Sequence, residues 1–175
     1  MSVSSLDNYI RNVENFPREG VNFKDITSIL LQPEICNFVI DSFIEKIDGV
    51  SIDLVVGIES RGFLFGMLLA NRMGLPFVPI RKSGKLPLDT VKLKYELEYG
   101  FDEVEVHKND IPIGSKVLLH DDLLATGGTA KAAATLINSL KSEIVCFAFV
   151  IILDSLKGSD HLKKYSSNIV SLINY

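Results

Sequence analysis

The sequence predicts an α/β fold, a mainly parallel twisted sheet flanked by helices. Three observations point there. Short apolar runs rich in branched residues, at Leu54–Ile58, Phe77–Ile80, Val117–Leu119 and Ile144–Leu153, read as buried strands. Segments with apolar residues at helical spacing lie between them, and strands alternating with helices make a parallel sheet. Twice a strand passes through a glycine-bearing loop straight into a helix, a unit that brings its loop to the carboxyl edge of such a sheet. At 175 residues and 47% apolar content, the chain (1–175) fits a single domain with a full core.

Taken in order, Leu6, Ile10 and Val13 space an amphipathic first helix, capped by Ser4 or Ser5 and ending near Phe16-Pro17. Gly20–Thr27 reads as a polar loop holding one large aromatic, Phe23, which by itself suggests core filling. Pro33 suits a helix first turn; Ile35, Phe38, Val39, Phe43 and Ile47 share one face, and Gly49 closes the helix. The strand Leu54–Ile58 then turns through Glu59-Ser60-Arg61-Gly62 into a helix over Phe63–Arg72. That turn offers Ser60, free amides and a guanidinium fork suited to pyrophosphate.

The third strand runs into Arg81-Lys82-Ser83-Gly84-Lys85-Leu86-Pro87, a cationic loop. Val91, Leu93, Tyr95, Leu97 and Tyr99 alternate with polar residues, and Gly100 interrupts before Val104 and Val106. This pattern predicts a hairpin with one apolar face, placed as a natural lid. Towards the end, Ile144–Leu153 reads as a buried strand, 159–164 as a helix and Ile169–Ile173 as an edge strand.

The chemistry concentrates in Lys116–Leu140. Val117-Leu118-Leu119 is a strand, Asp121 to Thr129 a turn with two adjacent carboxylates, and Ala130, Ala133, Ala134, Ile137 and Leu140 mark a helix starting near Thr129. A helix start behind a loop is an anion site, because its first amides are unpaired and its dipole is positive there. Gly127-Gly128 lets backbone approach a ligand, while Thr126 and Thr129 add hydroxyls and Thr129 can cap the helix. Asp121-Asp122 would repel a phosphate, so they suit sugar hydroxyls or hydrated Mg²⁺ close by. A polyol at one end and a phosphate at the other describe a ribose 5-phosphate.

A net charge of −4, with no long basic run, argues against a nucleic-acid surface. No run reaches membrane-spanning length and the first residues lack a signal-peptide core, so a cytoplasmic protein is expected. Cys36 and Cys146 sit in apolar surroundings without metal or redox spacing and read as core residues of a reducing compartment. His107 and His161 read as surface residues.

Two apolar residues, two acids, an apolar pair and Ala125-Thr126-Gly127-Gly128-Thr129 resemble the 5-phosphoribosyl-1-pyrophosphate (PRPP) motif of the type I phosphoribosyltransferases. The form DDLLATGGT is similar to that of the members acting on adenine. Gly-Ile-Glu-Ser-Arg-Gly at 57–62, Arg-Lys-Ser-Gly-Lys-Leu-Pro at 81–87 and Leu-Glu-Tyr-Gly at 97–100 resemble the family's pyrophosphate loop, basic loop and mobile catalytic loop, in that order. The resemblance covers essentially the whole chain.

It implies a type I phosphoribosyltransferase-like fold with a flexible hairpin lid over about 81–107 and a purine-covering segment over about 1–30. It implies transfer of the phosphoribosyl group from PRPP to adenine, giving AMP and pyrophosphate in purine salvage. Arg61, with Ser60, Arg81, Lys82, Lys85 and Mg²⁺, would take the pyrophosphate, and Asp121 and Asp122 the ribose hydroxyls, directly or through hydrated metal. Mg²⁺ would be held mainly by PRPP and water near these acids, without direct protein ligation. Ala125–Thr129 would hold the 5-phosphate, Phe23 and Leu123 would sandwich the purine, and Glu98 and Tyr99 would act at the base and over the site. A cis peptide is expected at Glu59–Ser60, and a homodimer is implied, in which Arg81 acts either in its own subunit or across the interface.

Asn22 and Lys24 stand where the family more often has an aliphatic residue and an arginine. His120 stands where it usually has an aliphatic residue, and reads as a packed substitution rather than a catalytic base; His120→Val should leave pH–rate behaviour unchanged. A phosphoribosyltransferase for another base, and a PRPP-sensing regulator with an added basic segment, remain the alternatives.

Overall fold

A computed structural model describes residues 3–96 and 100–175. Its main sheet has seven strands in the order β5-β6-β4-β3-β7-β8-β9. Five are mutually parallel: β4 (Phe77–Lys82), β3 (Leu54–Ile58), β7 (Lys116–Leu124), β8 (Glu143–Ile152) and β9 (Ile169–Asn174). The hairpin of β5 (Thr90–Glu96) and β6 (Phe101–His107) adds antiparallel through β6 to β4.

Strand alternation explains why both faces are covered. Leu54, Val56, Val117, Leu119, Phe147 and Phe149 enter one core with Ala130, Ala133, Leu136 and Ile137 of α3 (Gly128–Ser139). Val55, Leu118, Cys146, Ala148 and Val150 enter the other, against α1 (Pro33–Lys46) and α2 (Gly62–Met73). Parallel strands buried on both faces need such two-sided apolar composition. Alanines dominate the buried face of α3, which lets that helix lie close to the sheet. The apolar side of the hairpin, Val91, Leu93 and Tyr95, packs on the same core as α3.

The N-terminal helix expected from Leu6, Ile10 and Val13 is absent among the described residues. Val3–Tyr9 is a 3-10 helix, and β1 (Arg11–Glu14) then pairs antiparallel with β2 (Asn22–Asp25). Leu6 in that 3-10 helix and Ile10 just after it are already buried, and the pairing from Arg11 onward is with residues eight to fourteen positions away, beyond the helical period. The supposed polar loop 20–27 becomes β2 plus a 3-10 helix at Ile26–Leu31, whose first turn Asp25 caps by accepting from the Thr27 amide at 2.9 Å. The helix expected over 159–164 is shorter, α4 (Gly158–Leu162).

From the centre of the sheet the chain moves one way from β3 to β4 and the other way to β7. The carboxyl ends of β3 and β7 therefore flank the topological switch point, where open α/β sheets bind ligands.

Candidate active site

The acid pair is part of a strand, not of a turn. β7 runs on to Leu124, with Asp121 opposite Phe149 and Leu123 opposite Ile151 on β8. The parallel ladder fixes both carboxylates at the strand end. Asp122 is buried, Asp121 partly so, and the Asp122 amide donates to Asp121 Oδ1 at 2.9 Å.

The turn after β3 comes up against this pair. A Cβ at Gly62 would stand 2.8 Å from Asp121 Oδ1 and 3.0 Å from the His120 carbonyl, so glycine is what allows α2 to start here. Arg61 Nε lies 3.0 Å from Asp122 Oδ2, yet this oxygen has no well-directed hydrogen bond. The Arg61 guanidinium also sits 4.9 Å from the centre of the Phe23 ring, a cation–π distance, and Phe16 meets Phe23 edge-on at 5.3 Å. Pyrophosphate-type turn, acid pair and aromatic cover are thus in mutual reach. The peptide between Glu59 and Ser60 is cis, as the resemblance implied.

Enclosure by protein pushes the Asp121 carboxyl well above the ordinary value, and the neighbouring Asp122 charge adds to this. Burial raises Asp122 as well, against the pull of Arg61. Two adjacent buried carboxylates with one cation cannot both carry full charge cheaply. Added positive charge or hydroxyl donors would relieve them.

Beside the pair lies a cavity of about 140 Å³ lined by Asp121 and by Leu123 to Ala130. The first helical bond of α3 runs from the Lys131 amide to the Gly127 carbonyl at 2.8 Å, so the amides just before it are those a helix start leaves open. Gly127, at φ +81°, is the N-cap. Thr129 is not; its hydroxyl lies 3.4 Å from that of Tyr95 on the hairpin. The cup is braced from behind, because a Cβ at Gly127 would meet the Gly158 carbonyl at 2.8 Å and one at Gly158 would collide with the Ala125 carbonyl. A wider hollow of about 610 Å³ beside Leu88, His107 and Asp110 has neither helix start nor acid pair in its lining.

The basic loop is less free than its sequence suggests. Arg81 Nε and Lys85 Nζ reach the Glu59 carboxylate at 3.3 and 2.5 Å, and the Lys82 amide donates to it at 2.9 Å. Burial opposes the Glu59 charge, but Lys85, the Lys82 amide and Arg81 outweigh it and hold the carboxyl below its ordinary value. Lys82 Nζ pairs with Asp102 at 2.9 Å, which raises the ammonium and lowers the carboxyl. Neither acid that partners these cations, Glu59 or Asp102, was marked by the sequence as a partner of the basic loop.

Of the other residues singled out, Leu123 lines the cup and Ser60 is exposed at the turn. Lys24 turns away from Phe23, its ammonium 3.6 Å from the centre of the Tyr175 ring. Glu98 and Tyr99 lie outside the described residues. His107 is half-buried rather than a plain surface residue, and its Nε2–H donates to the Pro87 carbonyl at 2.9 Å. His120 is fully buried, edge-on to Phe43 at 5.5 Å. Neither ring nitrogen makes a well-formed hydrogen bond, and burial pushes the imidazole down to about 4 against a loosely placed Ala148 backbone contact.

A parallel sheet with a phosphate-type cup and an acid pair at its switch point has the build of an α/β protein for phosphorylated sugars or nucleotides. Known proteins narrow that class. Residues 25–174 match the family described as phosphoribosyl transferase domain. An adenine phosphoribosyltransferase of Clostridium botulinum is 49% identical over 98% of both chains. The crystal structure of adenine phosphoribosyltransferase from Thermoanaerobacter pseudethanolicus matches with a TM-score of 0.95 at 42% identity, covering 99% of this chain and 100% of that one. The Saccharomyces cerevisiae enzyme, complexed with adenine and an imino-altritol bisphosphate, matches at 0.90 and 42%, covering 97% of each. The chain belongs to the phosphoribosyltransferase family.

Proposed function

We infer that the chain transfers the 5-phosphoribosyl group of PRPP to adenine, releasing pyrophosphate and forming AMP, a purine-salvage reaction. Its near relatives are adenine phosphoribosyltransferases over nearly their whole length. Within the chain, one observation carries the reading: the Ala125–Thr129 cup, the Asp121-Asp122 pair, the Ser60-Arg61 turn and Phe23 gather around one strand edge.

Breaking the C1–O bond of PRPP leaves an oxocarbenium-like sugar and a strongly anionic leaving group. The cup amides and the hydroxyls of Thr126 and Thr129 take the 5-phosphate. Asp121 and Asp122 take the ribose hydroxyls, and their negative charge favours the developing cation. Ser60, Arg61, Arg81, Lys82 and Lys85 face the pyrophosphate, and Phe23 with Leu123 holds the base in line. Glu98 at the base edge and Tyr99 over the site complete the set.

Among the described residues, no cluster of three or more His, Cys, Asp or Glu side chains could hold a metal ion. Two raised carboxyls sharing a single cation, Arg61, suit an ion that arrives already carried by the substrate. Asp121 and Asp122 would hold Mg²⁺ through its water shell, where it supplies charge neutralisation at the pyrophosphate.

The chain works as one catalytic domain, with the purine cover over about 1–30 and a lid over about 81–107 that closes to exclude water. It acts as a cytoplasmic homodimer. No helix among the described residues is long and apolar enough to cross a membrane.

A panel of adenine, hypoxanthine, guanine, xanthine and orotate with PRPP and Mg²⁺ tests the reading. Turnover of adenine alone is expected. Turnover of an oxopurine but not adenine overturns the assignment, and tight PRPP binding without turnover revives a sensor.

A further inference from the structure

Glu105 is 1% exposed, yet it lies beneath an exposed loop. It sits on β6 opposite Arg81 of β4 and Lys92 of β5. Its Oε1 accepts two consecutive amides of the basic loop, Lys85 at 2.8 Å and Leu86 at 2.9 Å. Its Oε2 receives the Thr90 hydroxyl and the Lys92 ammonium, each at 3.3 Å. Burial opposes the charge, but the amides and Lys92 outweigh it and hold the carboxyl below its ordinary value.

The two amide bonds fix the backbone at Lys85, and more than Lys85 depends on that. The Lys85 carbonyl receives Arg81 Nη1 at 3.3 Å, while its ammonium reaches over to Glu59. Two residues along the same face of β6, His107 donates to the Pro87 carbonyl. The loop is therefore held from below at three consecutive residues, 85, 86 and 87.

We propose that Glu105 is a positioning residue for the pyrophosphate half of the reaction, holding the Lys85–Leu86 backbone so that Lys85 and Arg81 converge on the diphosphate of PRPP. The proposal rests on the reading that the basic loop binds pyrophosphate. It is a matter of reach rather than charge. An added buried anion beside cations weakens an anion site, so a purely electrostatic role would make its removal improve PRPP binding. A role through geometry makes shortening the side chain harmful and neutralising it harmless, because one oxygen receives both amides.

Steady-state kinetics on the full chain, with PRPP and adenine varied separately in the presence of Mg²⁺, decide between these. Glu105→Asp keeps the charge but loses reach, and should raise KM for PRPP about tenfold with KM for adenine unchanged. Glu105→Gln keeps the acceptor for both loop amides and gives up only the Lys92 pair at the other atom, so its PRPP KM should stay within about twofold of the parent. Leu86→Pro removes one amide from the loop side with β6 intact, and should raise PRPP KM several-fold even if Glu105→Asp does not fold.

Lys85→Ala separates the two layers of the argument. If it raises PRPP KM while Glu105→Asp and Leu86→Pro do not, the positioning role fails and the loop reading stands. If Lys85→Ala changes nothing, the loop does not bind pyrophosphate and both fall. Tighter PRPP binding by Glu105→Gln, or equal shifts in both KM values tracking a lowered melting temperature, also overturns the proposal.

Discussion

The cup after β7 and the basic loop after β4 would grip opposite ends of one substrate, and they are built on different principles. The cup uses backbone: amides at a helix start, glycines where another segment lies against it, and no counter-charge within its own loop. The basic loop uses long side chains, and each of its cations is paired with an acid from another strand or turn. A backbone site is complete once the chain has folded. A side-chain site has to exchange internal partners for the ligand, so its affinity depends on how well those partners are placed.

The largest test of that contrast falls where the two halves meet. Asp122→Asn or Arg61→Ala breaks the 3.0 Å pair between strand end and turn, and each should lower turnover about a hundredfold or more with the circular dichroism spectrum unchanged. Near-normal rates in both would mean that the halves act apart.

The cup can be struck without touching charge. Gly127→Ala puts a Cβ at φ +81° and 2.8 Å from the Gly158 carbonyl, which should cost about 1–3 kcal/mol in chemical denaturation. It should also raise KM for PRPP far more than KM for adenine. An unchanged PRPP KM would show that the cup is not the phosphate site.

The smallest effect on activity, and the cleanest on stability, concerns His120. Its imidazole titrates near 4 in the fold against 6.5 ordinarily, so the unfolded chain takes up the proton first. The contribution of His120 to stability is fully present above about pH 6.5 and is lost as pH drops towards about 4, about 3 kcal/mol from this group. His120→Val should flatten that part of the denaturation profile and leave the pH–rate curve as it was. A displaced rate profile would make His120 a participant in the chemistry.

The parallel half of the molecule was legible because its signals are local. Apolar runs gave the strands, Pro33 and the alanines of α3 gave the helices, and Gly127-Gly128 behind an apolar strand gave the cup. What could not be read was pairing across distance. Asp121 and Asp122 look like turn residues, and it is the partner strand β8 that keeps them in β7. The amphipathic spacing of Leu6, Ile10 and Val13 gives way to the β1–β2 ladder for the same reason. Glu59, Asp102 and Glu105 are ordinary acids in sequence, and become the framework of the basic loop once three strands meet.

The contact between Gly158 and the Ala125–Gly127 backbone ties the cup to a segment some thirty residues downstream. A loop shored up in this way has surrendered its conformational freedom during folding, so little ordering entropy is left to lose when a phosphoryl group arrives. If the cup takes the sugar phosphate, Gly158 would bear on its recognition without touching it, and added bulk there would register as a change in affinity at the opposite side of that wall.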